Sequence, residues 1–217
     1  MQLTLYTSPG SGNAYKVELL LRLLKLPYQA RAVSLVRNEN LSAEFLARNR
    51  FGQIPVLVDG DLVLTDSHAI LMYLAGQYPD ASGHEWAPLE PALLARIMRW
   101  LSVSANEIQN GLAIPRAVKL LNWPYDYAQG VRMGYRILGI MDDHLAGREW
   151  LALSHATVAD LACYPYVMLA SEGGIDTSGY RAVRAWLERV EALPGFWPMP
   201  RLPGLPAVPL MPAPPRG

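Results

Sequence analysis

Phe51-Gly52-Gln53-Ile54-Pro55-Val56-Leu57-Val58-Asp59-Gly60-Asp61-Leu62-Val63-Leu64-Thr65-Asp66-Ser67 reads as turn, strand, hairpin, strand and helix start. Asp59-Gly60 between two apolar runs is a strong short-range hairpin signal. Pro55 stands at the mouth of the first strand, where its missing N–H is tolerated, and an X-Pro bond is where a cis peptide is cheap. Thr65, Asp66 or Ser67 can cap the helix that follows. A strand feeding a helix through Asp-Ser leaves backbone N–H groups and a hydroxyl together, a place for a carboxylate.

Upstream, Gln2 to Thr7 alternates as a short strand. Ser8-Pro9-Gly10-Ser11-Gly12 is loop chemistry. A helix is expected from about Asn13 to Lys25, with Val17, Leu20, Leu21 and Leu24 as its apolar stripe, ended by Leu26-Pro27. Tyr28 to Leu35 reads as a second strand, parallel to the first, and Ser42 to Arg50 as a short helix. With a helix from Ser67 to about Gln77, the first 79 residues read β-α-β-α-β-β-α, an α/β unit of the thioredoxin type.

Downstream the pattern changes. Residues 80–87 have linker composition. Residues 88–197 read as helices only: Pro88 to about Gly111, Tyr125 to Leu145, Thr157 to Ser171, and Tyr180 to Ala192. Thr157-Val158-Ala159-Asp160 is a capping box with Asp in place of the usual Glu, a structural feature of the third of these helices. Residues 198–217 contain eight prolines in twenty, so this tail cannot be helical and is expected to be polyproline-like or disordered.

Composition narrows the function. The chain has 217 residues, 51% hydrophobic and 18% charged, enough for a sizeable core. Lys+Arg and Asp+Glu both number 19, which gives no footprint for nucleic acid and no polybasic membrane signal. Cys163 is the single cysteine, so no internal disulfide or thiol pair exists. The four histidines have no ligand spacing, and no metal site is expected. The start of the chain lacks a charged segment before an apolar core, so no signal peptide is expected. Apolar runs fall short of the roughly 18 residues a spanning helix needs. A reducing cytoplasm is the expected compartment.

These pieces, in this order, resemble a soluble glutathione S-transferase from Leu3 to about Phe196. Gly52-Gln53-Ile54-Pro55-Val56-Leu57 looks like the family's cis-proline segment. Thr65-Asp66-Ser67-His68-Ala69-Ile70 resembles its glutathione motif, and Thr157 to Asp160 its capping box. Ser11-Gly12-Asn13-Ala14-Tyr15-Lys16-Val17 is similar to the serine-type bacterial and theta-like members.

The resemblance implies attack by the glutathione thiolate on a small hydrophobic electrophile. A free thiol with a pKa near 8.5 is only about 3% ionised at pH 7. A fall of two units raises the thiolate to roughly three quarters and needs about 2.7 kcal/mol of selective stabilisation. A helix N-terminus supplies about 0.3–1 kcal/mol, and a hydrogen bond to a charged acceptor about 1.5–3 kcal/mol. The loop before the first helix can offer both. Ser11 is the expected hydroxyl donor, with Ser8, Asn13 and Tyr6 as rivals.

The resemblance also places the peptide. Backbone groups of Ile54, turned outward before a cis Pro55, would pair with the cysteinyl backbone. Ser67 would take the γ-glutamyl carboxylate and Asp66 its ammonium, with Gln53 at the same end. Arg37, Asn38 and Asn40 are candidates for the glycyl carboxylate. Tyr6, Trp100, Ser104, Ile108, Pro115 and Trp123 would line the electrophile pocket. Glutathione is the co-substrate, and a homodimer is implied. The alternatives are glutathione-dependent peroxidase, isomerase or dehalogenase chemistry at the same site, or a non-catalytic relative that binds proteins.

Overall fold

A computed structural model describes residues 3–200 and 209–211. The chain divides into two compact units, Met1–Ala87 with Pro194–Leu202, and Pro88–Leu193 with Pro203–Gly217.

The first unit is built on four strands: β1 Leu3–Thr7, β2 Tyr28–Ala32, β3 Val56–Asp59 and β4 Leu62–Thr65. The spatial order is β2-β1-β3-β4. β1 runs parallel to β2 and antiparallel to β3, and β3 antiparallel to β4. Three helices complete it: α1 Gly12–Leu23, α2 Ala43–Arg48 and α3 Ser67–Gln77. This is the expected β-α-β-α-β-β-α order. Leu5, Val56 and Leu57 of the sheet are fully buried, as are Val17, Leu20 and Leu21 of α1 and Ile70, Leu71 and Leu74 of α3. A second cluster gathers Ala14, Val33, Phe45, Ile54 and Val56, with Tyr6 packed against it.

Two boundaries differ from the sequence reading. The hairpin loop is Gly60-Asp61, one residue later than expected, and Gly60 takes φ 58°. Asp59 stays in β3, where Tyr73 and Tyr78 both donate to its Oδ2. Two phenols on one carboxylate hold it at the strand end rather than in the turn. β2 stops at Ala32, three residues before the expected Leu35. The chain beyond turns tightly, with Glu39 N donating back to Ser34 O.

The second unit is helical. α4 Pro91–Val103 runs into a π-helical stretch, Ser104–Ala113, and then α5 Ile114–Leu121. The single helix expected to end near Gly111 is thus longer and changes its winding. Pro115 cannot donate to a carbonyl one turn back, and a widened turn precedes it. Gly111 fits there because a Cβ would lie 2.7 Å from Gly134 N, so the two backbones touch. α6 Tyr127–Leu145, α7 Val158–Met168 and α8 Arg181–Glu191 follow. Thr157 caps α7 in a full capping box with Asp160.

The helical domain was expected to reach residue 197, but the segment from Pro194 belongs with the first unit. The reason is local. Tyr15 donates from its hydroxyl to Trp197 O at 2.6 Å, and the Arg22 guanidinium lies 4.0 Å from the centre of the Trp197 ring. Of the proline-rich tail, residues 201–208 and 212–217 lie outside the described residues.

Candidate functional site

Register decides what meets what. Tyr6 pairs with Val56, and Val56 with Thr65. Thr7 pairs with Ala32. One end of the sheet therefore carries four segments: the loop after β1 with Ser11, the loop after β2 with Arg37 and Asn40, the Ile54-Pro55 entry to β3, and the Asp66-Ser67 exit from β4. Sequence positions up to 56 residues apart are brought to one edge by pairing alone.

Ser11 is the N-cap of α1, with φ −77° and ψ 111°. Its Oγ accepts from Ala14 N at 3.2 Å, and its own N–H donates to Ser8 O at 3.1 Å. A hydroxyl has one hydrogen and two lone pairs, and capping uses a lone pair only. The O–H remains to donate at the positive end of a twelve-residue helix. Ser8 is buried, and Asn13 lies half-buried in the first turn of α1. Tyr6 turns toward α2: its ring meets Phe45 edge-on at 6.2 Å, with the Arg48 guanidinium 5.2 Å from its centre.

The Ile54-Pro55 bond is cis. The Ile54 side chain is buried in the second cluster, while its N–H and C=O have no hydrogen-bond partner among the described residues. Two asparagines hold the loop before it. Asn40 Nδ2 donates to Gly52 O at 2.7 Å. Asn49 Nδ2 donates to Gln53 O at 2.8 Å, and its Oδ1 accepts from Phe51 N. Gly52 takes φ 60° with Leu41 and Asn40 close against it, where a residue with a Cβ would be strained. The Gln53 side chain is exposed.

Asp66 is the N-cap of α3 at φ 71°, a conformation costly for a residue with a Cβ. Its Oδ1 accepts from His68 N at 2.9 Å and Ala69 N at 3.0 Å, and its carbonyl accepts from Ile70 N. The N–H and Oγ of Ser67 have no partner among the described residues, although Ser67 is 4% exposed. The helix start thus spends the His68 and Ala69 N–H groups on Asp66 Oδ1 and leaves the Ser67 N–H beside a hydroxyl.

The glycyl-end candidates differ. Arg37 is exposed, and its Nε and Nη2 both donate to Glu39 Oε1, at 2.9 and 2.7 Å. The Ser34 N–H, followed by the Arg37 guanidinium, holds the Glu39 carboxyl below its usual range. Asn40 spends one amide hydrogen on Gly52, and its Oδ1 is buried without a partner among the described residues. Asn38, at φ 55°, precedes the short turn Glu39–Leu41.

Trp100, Ser104, Ile108 and Pro115 are all buried in the helical unit. Ser104 Oγ donates to Ala162 O at 2.8 Å, and Trp100 packs on His144. Trp123 is 42% exposed. Among the described residues no group of three or more His, Cys, Asp or Glu side chains could hold a metal ion, and no helix is long and apolar enough to cross a membrane.

Sequence reasoning missed Asn49, Lys16 and His68. Lys16 lies in α1 at 1% exposure, with Nζ 3.2 Å from His68 Nε2 of α3. Its spacing from Leu20 and Leu23 puts it on the buried stripe, and that periodicity was the signal available. Burial first, then the Lys16 ammonium, hold the His68 imidazolium pKa down to about 4.

The fold is a thioredoxin-type α/β unit followed by a helical second unit. The models of the glutathione S-transferase N-terminal and C-terminal domains match residues 1–76 and 126–194. Human glutathione S-transferase theta-2 is 33% identical over 181 residues, 78% of this chain and 72% of that one. A glutathione S-transferase from Pseudomonas fluorescens superposes with TM-score 0.83 at 33% identity, covering 91% of this chain and 98% of its own. A glutathione transferase homologue from Lodderomyces elongisporus, whose structure has two GSH per subunit, aligns with TM-score 0.79 at 26% identity, covering 90% and 95%. The chain belongs to the glutathione S-transferase family.

Proposed function

We propose that this transferase binds glutathione across the open end of its sheet and ionises the thiol at Ser11 for attack on a small hydrophobic electrophile. The supporting observation is the set of unspent groups: the Ser11 O–H, the Ile54 N–H and C=O, and the Ser67 N–H and hydroxyl. They match a thiolate, a peptide backbone and a carboxylate in that order along the edge. Asp66 keeps Oδ2 for the γ-glutamyl ammonium while Oδ1 caps α3. Asn40 is the better-placed glycyl contact, because Arg37 is already engaged by Glu39.

In the reaction the thiol proton leaves to solvent as the Ser11 hydroxyl donates to sulfur. The thiolate then forms a C–S bond to the electrophilic carbon. With an aryl halide the carbon–halogen bond breaks and halide departs with its electron pair. The Ser11 hydroxyl and the helix start together can supply the roughly 2.7 kcal/mol that a two-unit pKa fall requires.

A homodimer in the cytoplasm completes the proposal. Phe51, 81% exposed beside the site, is a large apolar anchor for a second copy. Cys163 is buried, in keeping with a reducing compartment. The test is retention on immobilised glutathione together with turnover of 1-chloro-2,4-dinitrobenzene. Retention with turnover is the expected result. No binding at millimolar glutathione would sink the proposal, and binding without turnover of a broad electrophile panel would favour a protein-binding role.

A further inference from the structure

Lys16 is the unusual charge in the first unit. An ammonium at 1% exposure is expensive unless it is engaged, and lysine is rarely so buried. It lies on α1, the helix that Ser11 caps, and reaches α3 one residue past Ser67. One of its contacts is the imidazole of His68, Nζ to Nε2 at 3.2 Å. His68 stands between charges of opposite sign, with Lys16 opposing its protonation and Asp66 favouring it. A neutral imidazole can take the lysine hydrogen on Nε2 and leave the ammonium charge intact.

The same turn holds Asp66 at φ 71°. Such a conformation persists only when its surroundings over-determine it. Hydrogen bonds from His68 N and Ala69 N to Asp66 Oδ1 fix it from the helix side. The His68 ring, in the same first turn of α3, is engaged by Lys16 at 3.2 Å, so Lys16 bears on the residue whose N–H caps onto Asp66. A positive charge placed behind a helix N-terminus adds to the field that an incoming carboxylate meets.

We propose that Lys16 is a positioning residue for the γ-glutamyl end of glutathione, acting through His68 to hold the Asp66-Ser67 turn and lending its charge to carboxylate binding there. This rests on reading the open sheet end as the glutathione site. It would make α1 serve both ends of the ligand, the sulfur through Ser11 and the γ-glutamyl carboxylate through Lys16.

The test compares two peptides on the full-length protein. One is glutathione. The other is 4-aminobutyryl-cysteinyl-glycine, which lacks only the γ-glutamyl carboxylate. Wild type should bind glutathione more tightly. Lys16→Met should weaken glutathione about tenfold and leave the Kd of the analogue unchanged, and Lys16→Arg should restore most of the loss. Equal weakening of both peptides, or full discrimination kept in Lys16→Met, would overturn the role of Lys16 alone. A wild type that binds both peptides equally, or neither, would overturn the site reading and this proposal with it. If Lys16→Met does not fold, His68→Gln takes its place with the same differential expected, and undiminished discrimination there is the overturning result.

Discussion

The starts of α3 and α7 both rest on an aspartate, and the two are used in opposite ways. Asp160 is fully buried and all its capacity is spent. Its Oδ1 accepts from Leu151 N at 3.0 Å and Trp186 Nε1 at 2.9 Å, and its Oδ2 from Thr157 N at 2.9 Å and Thr157 Oγ1 at 3.2 Å. Asp66 is exposed, uses one oxygen on its own helix and leaves the other open, next to a serine with an unspent N–H. A saturated cap joins elements and rigidifies them. A half-used cap at a sheet edge is a binding group waiting for its ligand.

The largest expected effect breaks the saturated cap. Asp160→Ala strands four buried donors and should cost about 3–5 kcal/mol, read as a fall in the urea midpoint. Asp66→Ala should cost only about 0.5–2 kcal/mol as a lost N-cap while glutathione retention fails. Equal destabilisation by the two variants would erase the contrast.

Next comes the chemistry at α1. Ser11→Ala should lower kcat by about one to two orders of magnitude and raise the pKa of bound thiol, with glutathione affinity little changed. A wild-type rate would pass the role to Ser8, Asn13 or Tyr6. Ser67→Ala should do the reverse, raising KM for glutathione about tenfold with kcat nearly constant. If both variants moved the same constant, holding and activating would not be separate tasks.

Much of this was legible in the chain. The apolar alternation from Val56 to Thr65 and the 3.6-residue stripes of α1 and α3 specify the α/β unit through local period alone. Thr157 to Asp160 announces its own helix start. What was not legible depends on three dimensions. The buried face of α1 includes Lys16 because His68 is there to meet it, and no local rule gives a lysine a partner 52 residues away. The π stretch before Pro115 brings Gly111 against the Gly134 backbone, an approach that no local period announces. Ser104 and Trp100 were chosen for a pocket by type; both are buried in the helical unit, and type alone does not fix which face a residue takes.

The smallest effect tests the contrast by pH. In the unfolded chain His68 titrates near its ordinary value of about 6.5, and in the folded protein at about 4. Between those values the unfolded form holds a proton that the folded form lacks. Stability on this account is complete above about pH 6.5 and falls as pH drops toward 4, by at most about 1.4 kcal/mol per pH unit. His68→Gln should therefore flatten the acid limb of a urea-unfolding series relative to wild type. Asp160 works with the opposite sign, because burial outweighs its four hydrogen bonds and pushes its carboxyl above the ordinary range. Stability from that group is lost as pH rises between its unfolded and folded values, so acid favours it. Acid should thus loosen the start of α3 while sparing that of α7. Hydrogen exchange at pH 5 against pH 7 reads this directly: amides of His68 to Ile70 should lose protection while those of Ala159 to Leu161 keep it. Parallel loss at both helix starts would mean that acid acts on the fold as a whole, and the two caps would differ in exposure without differing in electrostatics.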